Sequence, residues 1–414
     1  MRPHAHPLLI VTLLAASPAM AQQYDGDNTR YRTISWEDLP SDLAKSPGAL
    51  IIDVRTPGEY SDTSHWASLN IGRLKGALNI DHKELGKRLN ELPDHKRPIY
   101  LYCSHSQRSR RMGNLLADSG YTNVINVNGG MSRYWREQDR LPMMDTLIER
   151  SAGYGIINAQ RLCAMRAARP VFLLDVRGDS LLAPGKQPEW VSAYGAMKNA
   201  THIPIERLRE KQAQLPQDRP IIVVGAYTAD AAKAASALVD QSSKDVHILF
   251  SGLEGMIDVS DTDCPCKKEI WNSSAPYSAI TLDRLDTTAL LSGKAVMLDI
   301  RSQEEYDGTA KDTWKNTGRF RMAEHLPAQQ VQEKHASLSI AKDTPITLVG
   351  RGLDEELFDV ARNLTDLGYQ KVTLLTCGIW GIRWEAHNLP GKAGWDHWVI
   401  RYPTAVPTNP WIRP

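Results

Sequence analysis

Short apolar runs recur along the chain, and three of them end in the same polar–apolar–polar step. Ala49-Leu50-Ile51-Ile52 leads into Asp53-Val54-Arg55. Val171-Phe172-Leu173-Leu174 leads into Asp175-Val176-Arg177, and Ala295-Val296-Met297-Leu298 into Asp299-Ile300-Arg301. The tripeptides lie 122 and 124 residues apart, and self-similarity at a near-fixed period marks repeated structural units. Their neighbours recur as well. Upstream, Ile34-Ser35, Ile157-Asn158 and Ile280-Thr281 each precede a Leu four residues beyond the polar residue. Ser, Asn and Thr are N-cap residues, so each pair predicts a helix start. Downstream come Gly76 to Ile80, Ala200 to Pro204 and Ala323 to Pro327. After a proline follows a second apolar strand: Ile99 to Tyr102, Ile221 to Val224 and Ile346 to Val349. The next segment carries apolar residues at helical spacing. In the first unit these are Met112, Leu115 and Leu116; in the third, Leu357, Val360, Leu364 and Leu367. Gly120-Tyr121 and Gly368-Tyr369 supply a glycine C-cap. A further strand closes each unit: Val124 to Val127, Val246 to Phe250 and Val372 to Leu375.

Strand–helix–strand alternation with fully apolar strands predicts a parallel sheet with helices on its faces, an α/β architecture. The length of 414 residues suits two to four domains at roughly 100–200 residues each. The repeats place boundaries near 148 and 273, giving units 22–148, 149–272 and 273–414. Residues 385–414 hold five prolines with Trp395, Trp398 and Trp411, which reads as an extended tail over the third unit.

Composition narrows the function classes. The chain has 49 Lys+Arg against 48 Asp+Glu, 42% hydrophobic and 23% charged residues. This is globular composition, and a net charge of +1 gives no electrostatic footprint for nucleic acid or an anionic membrane. At the N-terminus, Leu8 to Ala16 is apolar and Ala19-Met20-Ala21 follows Ser17-Pro18. Small residues flanking a break after Ala21 predict a secretory signal peptide over 1–21 and export to a periplasm-like compartment. An uncleaved N-terminal anchor is the alternative.

Chemistry concentrates in the first unit. The strand ending at Tyr102 runs into Cys103-Ser104-His105-Ser106-Gln107-Arg108-Ser109, where a helix begins. A cysteine between a strand end and a helix N-terminus meets unpaired amides and the positive end of the helix dipole, which favour a thiolate. Arg108, Arg110 and Arg111 add local positive charge, so the site suits a small anion.

These residues resemble the rhodanese sulfurtransferase family, whose loop has a cysteine, four residues, an arginine and a small residue. Cys103, Arg108 and Ser109 match it. The Asp53-Val54-Arg55 strand end, Glu59-Tyr60, Gly76-Ala77 and Gly129-Gly130 with Trp135 match the flanking landmarks. Ser106 stands where the family usually has Gly, and the segment from Tyr60 to Gly76 is longer than in many members; it reads as a loop near the site, shaping access. The resemblance implies three tandem rhodanese-like domains, each a central, mostly parallel sheet flanked by helices. It implies a loop of this size that cradles a sulfur atom, whereas related phosphatases and arsenate reductases use one residue more. The expected reaction moves sulfane sulfur from thiosulfate or a related donor to a thiol through a Cys103 persulfide, with no cofactor and no metal. Its partners are then a small sulfur-containing anion and a thiol or protein acceptor. Arg108 orders the loop and attracts the donor; Ser104 and Ser106 donate hydrogen bonds, with Gln107 and Ser109 completing the cradle. His105 tunes the charge, contacts the donor's sulfonate, or points to solvent. Asp53 and Arg55 read as structural, because every unit keeps them. A persulfide carrier or docking protein is the alternative function; a phosphatase or arsenate reductase is a third.

In the other units Gly225 and Gly350 align with Cys103, and Asp230 and Glu355 with Arg108, which predicts chemically silent copies. Cys163 and Cys377 read as core thiols. Cys264-Pro265-Cys266 leaves three readings open: a structural disulfide, to Cys163 or within the pair, a redox pair, or a weak metal site.

Overall fold

The computed structural model describes residues 31–183, 187–240, 245–312, 315–381 and 399–400. The expected signal peptide over 1–21 and the Trp-rich tail from 401 onward, with Trp395 and Trp398, lie outside the described residues. Among those described, no helix is long and apolar enough to cross a membrane.

The described residues form three five-stranded parallel sheets in chain order. The first contains β1 (Arg32–Ile34), β2 (Leu50–Asp53), β3 (Leu78–Asn79), β4 (Ile99–Tyr102) and β5 (Val124–Val127), ordered β1-β5-β4-β2-β3. The second contains β6 (Gly155–Ile157), β7 (Phe172–Asp175), β8 (Thr201–His202), β9 (Ile221–Val224) and β10 (Val246–Leu249). The third contains β11 (Ser278–Ile280), β12 (Val296–Asp299), β13 (Ala323–His325), β14 (Ile346–Val349) and β15 (Val372–Leu375). Both repeat the first sheet's order strand for strand. The central strands β4 and β9 are buried along their whole length, as the apolar runs require when helices cover both faces.

Each Asp-x-Arg step is a buried ion pair within the sheet. Arg55 grips Asp53 at 2.7 Å and donates to the Gly72 carbonyl at 2.6 Å. Arg177 does the same with Asp175 and the Gly195 carbonyl, and Arg301 with Asp299 and the Gly318 carbonyl. The arginine thus ties a strand end to the connection that follows it. Both partners are buried in all three sheets, so the motif is part of the frame, and its survival in every unit has a structural reason.

The expected helix starts hold in one unit. Asn158 accepts from Arg161 N at 2.9 Å and caps α3 (Ala159–Ala168). In the first unit Ser35 opens a turn, and the helix begins only at Leu39. In the third, Thr281 precedes a 3-10 turn, and Asp286 caps the helix that follows. What the three positions share is the leucine: Leu39, Leu162 and Leu285 are all buried.

The units join head to tail. The segment after Tyr60 takes part in the join. Its turn Ala67–Leu69 packs on α5 (Thr228–Asp240) of the second unit, whose Ala231, Ala232, Ala234 and Ala235 are fully buried. Asp62 fixes the joint by accepting from Gly72 N at 2.8 Å and Ser151 N at 2.6 Å. The second unit repeats the contact: α4 (Glu189–Tyr194) packs on α7 (Glu355–Asp366) of the third, with Glu189 paired to Arg362 at 3.0 Å.

Candidate active site

Cys103 follows the last residue of β4 and is 1% exposed. The chain turns at Ser106, which adopts φ 72° and starts α1 (Gln107–Asp118). That left-handed conformation explains why glycine is the usual residue there; in this chain the buried serine is hydrogen-bonded through its hydroxyl. The first helical amides have no intrahelical acceptor, and they flank the Cys103 loop.

A polar network holds the loop. Arg108 makes a two-pronged ion pair with Glu59, Nη1 to Oε2 and Nη2 to Oε1, both 2.6 Å. Its Nη2 also donates to Ser104 Oγ at 2.9 Å. Glu59 is the third residue of the short helix Pro57–Tyr60, held by a capping box with Thr56. Burial alone would raise the Glu59 carboxyl; Arg108 outweighs it and holds that carboxyl below its ordinary range. Burial likewise opposes the Arg108 charge, but Glu59 and the Cys103 sulfur keep the guanidinium protonated. The charge expected to attract a donor is therefore turned inward on Glu59.

His105 is half-buried and held neutral. Its Nδ1 lies 3.0 Å from Ser104 Oγ and its Nε2 3.0 Å from Ser132 Oγ. A hydroxyl can both donate and accept, so Ser104 and Ser132 satisfy either tautomer of the neutral ring. Burial, together with Arg136 and Arg108, pushes His105 down to about 4. Beneath the thiol, Ser109 Oγ lies 3.7 Å from Cys103 Sγ and donates to Asn126 Oδ1 at 2.6 Å. Asn126 Nδ2 donates to Ser106 Oγ at 3.2 Å. Gln107 is buried at the helix start.

The loop's other wall is α2 (Gly130–Arg136). Met131 N and Ser132 N donate to the Cys103 and Ser104 carbonyls at 2.9 and 3.0 Å. A Cβ on Gly130 would fall on the Cys103 carbonyl oxygen, so only glycine permits this approach. Leu253 N and Glu254 N bond Gly225 and Ala226 in the second unit, and Ile379 N and Trp380 N bond Gly350 and Arg351 in the third. These bonds place Gly225 and Gly350 at the Cys103 position, as the alignment expects.

Sequence reasoning kept Glu59 as a landmark only and missed Asn126 and Ser132. A signal existed for Asn126, a lone amide in the apolar strand Val124-Ile125-Asn126-Val127. For Ser132 there was none, because its partner lies 27 residues away.

A family model described as "Rhodanese-like domain" matches residues 36–137. The uncharacterised protein YqhL of Bacillus subtilis (strain 168) is 34% identical over 103 residues, covering 25% of this chain and 71% of that protein. A sulfurtransferase of Allochromatium vinosum is 29% identical over 103 residues, 25% of this chain and 87% of its own. The thiosulfate sulfurtransferase PspE of Escherichia coli (strain K12) is 32% identical over 79 residues, 19% and 67% respectively.

Proposed function

This chain belongs to the rhodanese family, and from that premise we propose that it is an exported sulfurtransferase acting through Cys103. The reading rests on one observation: a buried thiol at the end of a central strand, under a helix start, in a loop with arginine five positions on. The Cys103 thiolate attacks the outer sulfur of thiosulfate or a related sulfane donor. The donor's S–S bond breaks, sulfite or a thiolate leaves with the electron pair, and a persulfide remains. A thiol acceptor then takes the terminal sulfur. A nucleophile only 1% exposed favours a slim terminal sulfur over a bulky ester.

The network supports the following roles for the remaining residues. Arg108 is a positioning residue that locks Ser104 to Glu59. Ser109 and Ser106 support the sulfur from below, Gln107 contributes a first-turn amide, and neutral His105 bridges Ser104 and Ser132. An Arg108 fork already filled by Glu59 and Ser104 has little left to clamp a tetrahedral oxyanion, which weighs against phosphatase or arsenate reductase chemistry. Units 149–272 and 273–414 act as silent scaffold beside the active unit 22–148. The Cys163–Cys266 disulfide supports an oxidising, periplasm-like compartment, and the mature chain then begins at Gln22.

Intact mass spectrometry after thiosulfate exposure tests this. One added sulfur on Cys103, lost on treatment with a small thiol and absent from Cys103→Ser, is expected. Sulfur on another cysteine, or turnover by Cys103→Ser, overturns the reading. Persulfide formation without turnover on small acceptors would make the protein a carrier. N-terminal sequencing that finds Met1 on the secreted protein would remove the export proposal.

A further inference from the structure

A second sulfur cluster lies away from Cys103, near the junction of the first and second units. Cys163 sits on α3, and Cys264 and Cys266 flank Pro265 before the short helix Lys267–Ile270. Cys163 and Cys266 form a disulfide, with Cα atoms 5.6 Å apart. Cys264 is left as a free thiol, fully buried. Its Sγ lies 2.8 Å from the Cys163 Sγ, closer than unbonded sulfurs ordinarily pack. All three sulfurs fall within 4.8 Å of one another. Cys163 thus touches both members of the Cys-Pro-Cys pair, bonded to one and in contact with the other.

We propose that this cluster is a thiol–disulfide exchange site in which Cys163 is the shared partner of Cys264 and Cys266. Cys264, as a thiolate, attacks Cys163 Sγ. The Cys163–Cys264 bond forms as the Cys163–Cys266 bond breaks, and the electron pair leaves on the Cys266 sulfur. That sulfur takes up the proton Cys264 gave to solvent, so nothing is oxidised or reduced overall. The exchange moves the free thiol from a buried position to the half-buried Cys266 position. There it meets thiol-reactive partners, small disulfides in particular, with which it forms a mixed disulfide and releases the partner's thiolate.

The surroundings set the rate. Burial pushes the Cys264 thiol up to about 11. Lys267 and Arg166 draw it down, while Asp261 and Asp139 push it further up. Since the thiolate is the attacking form, the exchange is slow at neutral pH and quickens with rising pH.

The test uses the full oxidised chain. Native protein is held with iodoacetamide at pH 7, 8 and 9, then digested without reduction and mapped. The expected result is label accumulating on Cys266, paired with a Cys163–Cys264 linkage, at a rate rising about tenfold per pH unit. Label that never reaches Cys266, with Cys163–Cys266 as the sole linkage, overturns the proposal. A second arm uses Cys266→Ser, its fold checked by circular dichroism. Exposed to glutathione disulfide, it should close a Cys163–Cys264 bond; a folded variant that keeps both thiols free overturns the proposal. If that variant does not fold, the native labelling decides alone.

Discussion

Replacing Arg108 with Ala should destabilise the first unit before it affects any substrate. The guanidinium and the Glu59 carboxylate are 8% and 3% exposed, 2.6 Å apart. Breaking such a pair from one side leaves an uncompensated buried charge and costs about 3–5 kcal/mol. A domain's whole stability is roughly 5–15 kcal/mol, so the loss is a large fraction of it. Replacing both partners by neutral groups of similar volume removes the stranded charge and is close to neutral. Urea unfolding of the full chain, followed by far-UV circular dichroism, measures this. With a slope of about 1–3 kcal/mol/M, Arg108→Ala should bring the first transition down by more than about 1 M. The Glu59→Gln/Arg108→Met double variant should recover most of that shift. Its persulfide formation, read by mass, then separates two roles. A folded double variant that loads sulfur at the wild-type rate would make Arg108 a scaffold residue alone. An Arg108→Ala midpoint equal to wild type, or a double variant no better than the single one, would refute the charge-burial reasoning.

Stability should also fall as pH drops from about 6.5 toward 4. His105 has its folded value depressed to about 4, so between those values the unfolded chain binds the extra proton. His105→Gln should flatten that part of the stability–pH curve measured by urea unfolding; an unchanged slope would show that His105 does not carry it. Glu59, held below its ordinary range, adds stability that is present above about 4.3 and lost at lower pH, and Glu59→Gln should remove it. Asn126→Leu strips partners from the Ser106 and Ser109 hydroxyls. It should cost about 1–3 kcal/mol and slow sulfur loading on Cys103 in a single-turnover mass assay; an unaltered loading rate would count against Ser109 as support for the sulfur.

The frame of the fold was legible because it is written in local pattern. Apolar strands and the Asp-x-Arg step repeat with near-constant spacing in all three units, and the structure places each one alike in its sheet; the Gly-Tyr helix ends recur in the first and third units. The reactive cysteine was legible for the same reason, since a strand end and a helix start are local features. Its partners were not. Glu59 precedes Arg108 by 49 residues and Ser132 follows His105 by 27, and no periodicity links residues that meet only when the sheet closes. The Arg108–Glu59 pair was out of reach on that account: a basic residue beside a cysteine reads as an anion lure until its acidic partner is in view. The helix starts slipped because a Ser or Thr can open a turn as readily as it caps a helix. The docking of the long segment after Tyr60 was not legible, because it depends on an alanine-rich helix more than 150 residues downstream.

Comparing the three loops separates what the fold needs from what the chemistry needs. Gly130, Gly252 and Gly378 all adopt positive φ and pack against a loop carbonyl, and each unit keeps its buried Asp–Arg pair. The polar network is what changes. At the position of Asn126 the other strands carry Ile248 and Leu374, and opposite Ser132 stand Glu254 and Trp380. Asp230 and Glu355 replace Arg108 along the chain, yet the third unit restores an arginine–glutamate pair by another route. Arg351, one residue past the cysteine position, donates to Glu305 at 2.9 Å, and Glu305 occupies the place of Glu59. The second unit has Leu181 there and no such pair among its described residues. A buried carboxylate left alone would be costly, so a unit that keeps the glutamate must keep a cation for it, whether or not it keeps a thiol. The ion pair therefore answers to burial and the thiol answers to chemistry. The first unit is where both coincide, with Ser104 as the atom-level link between them.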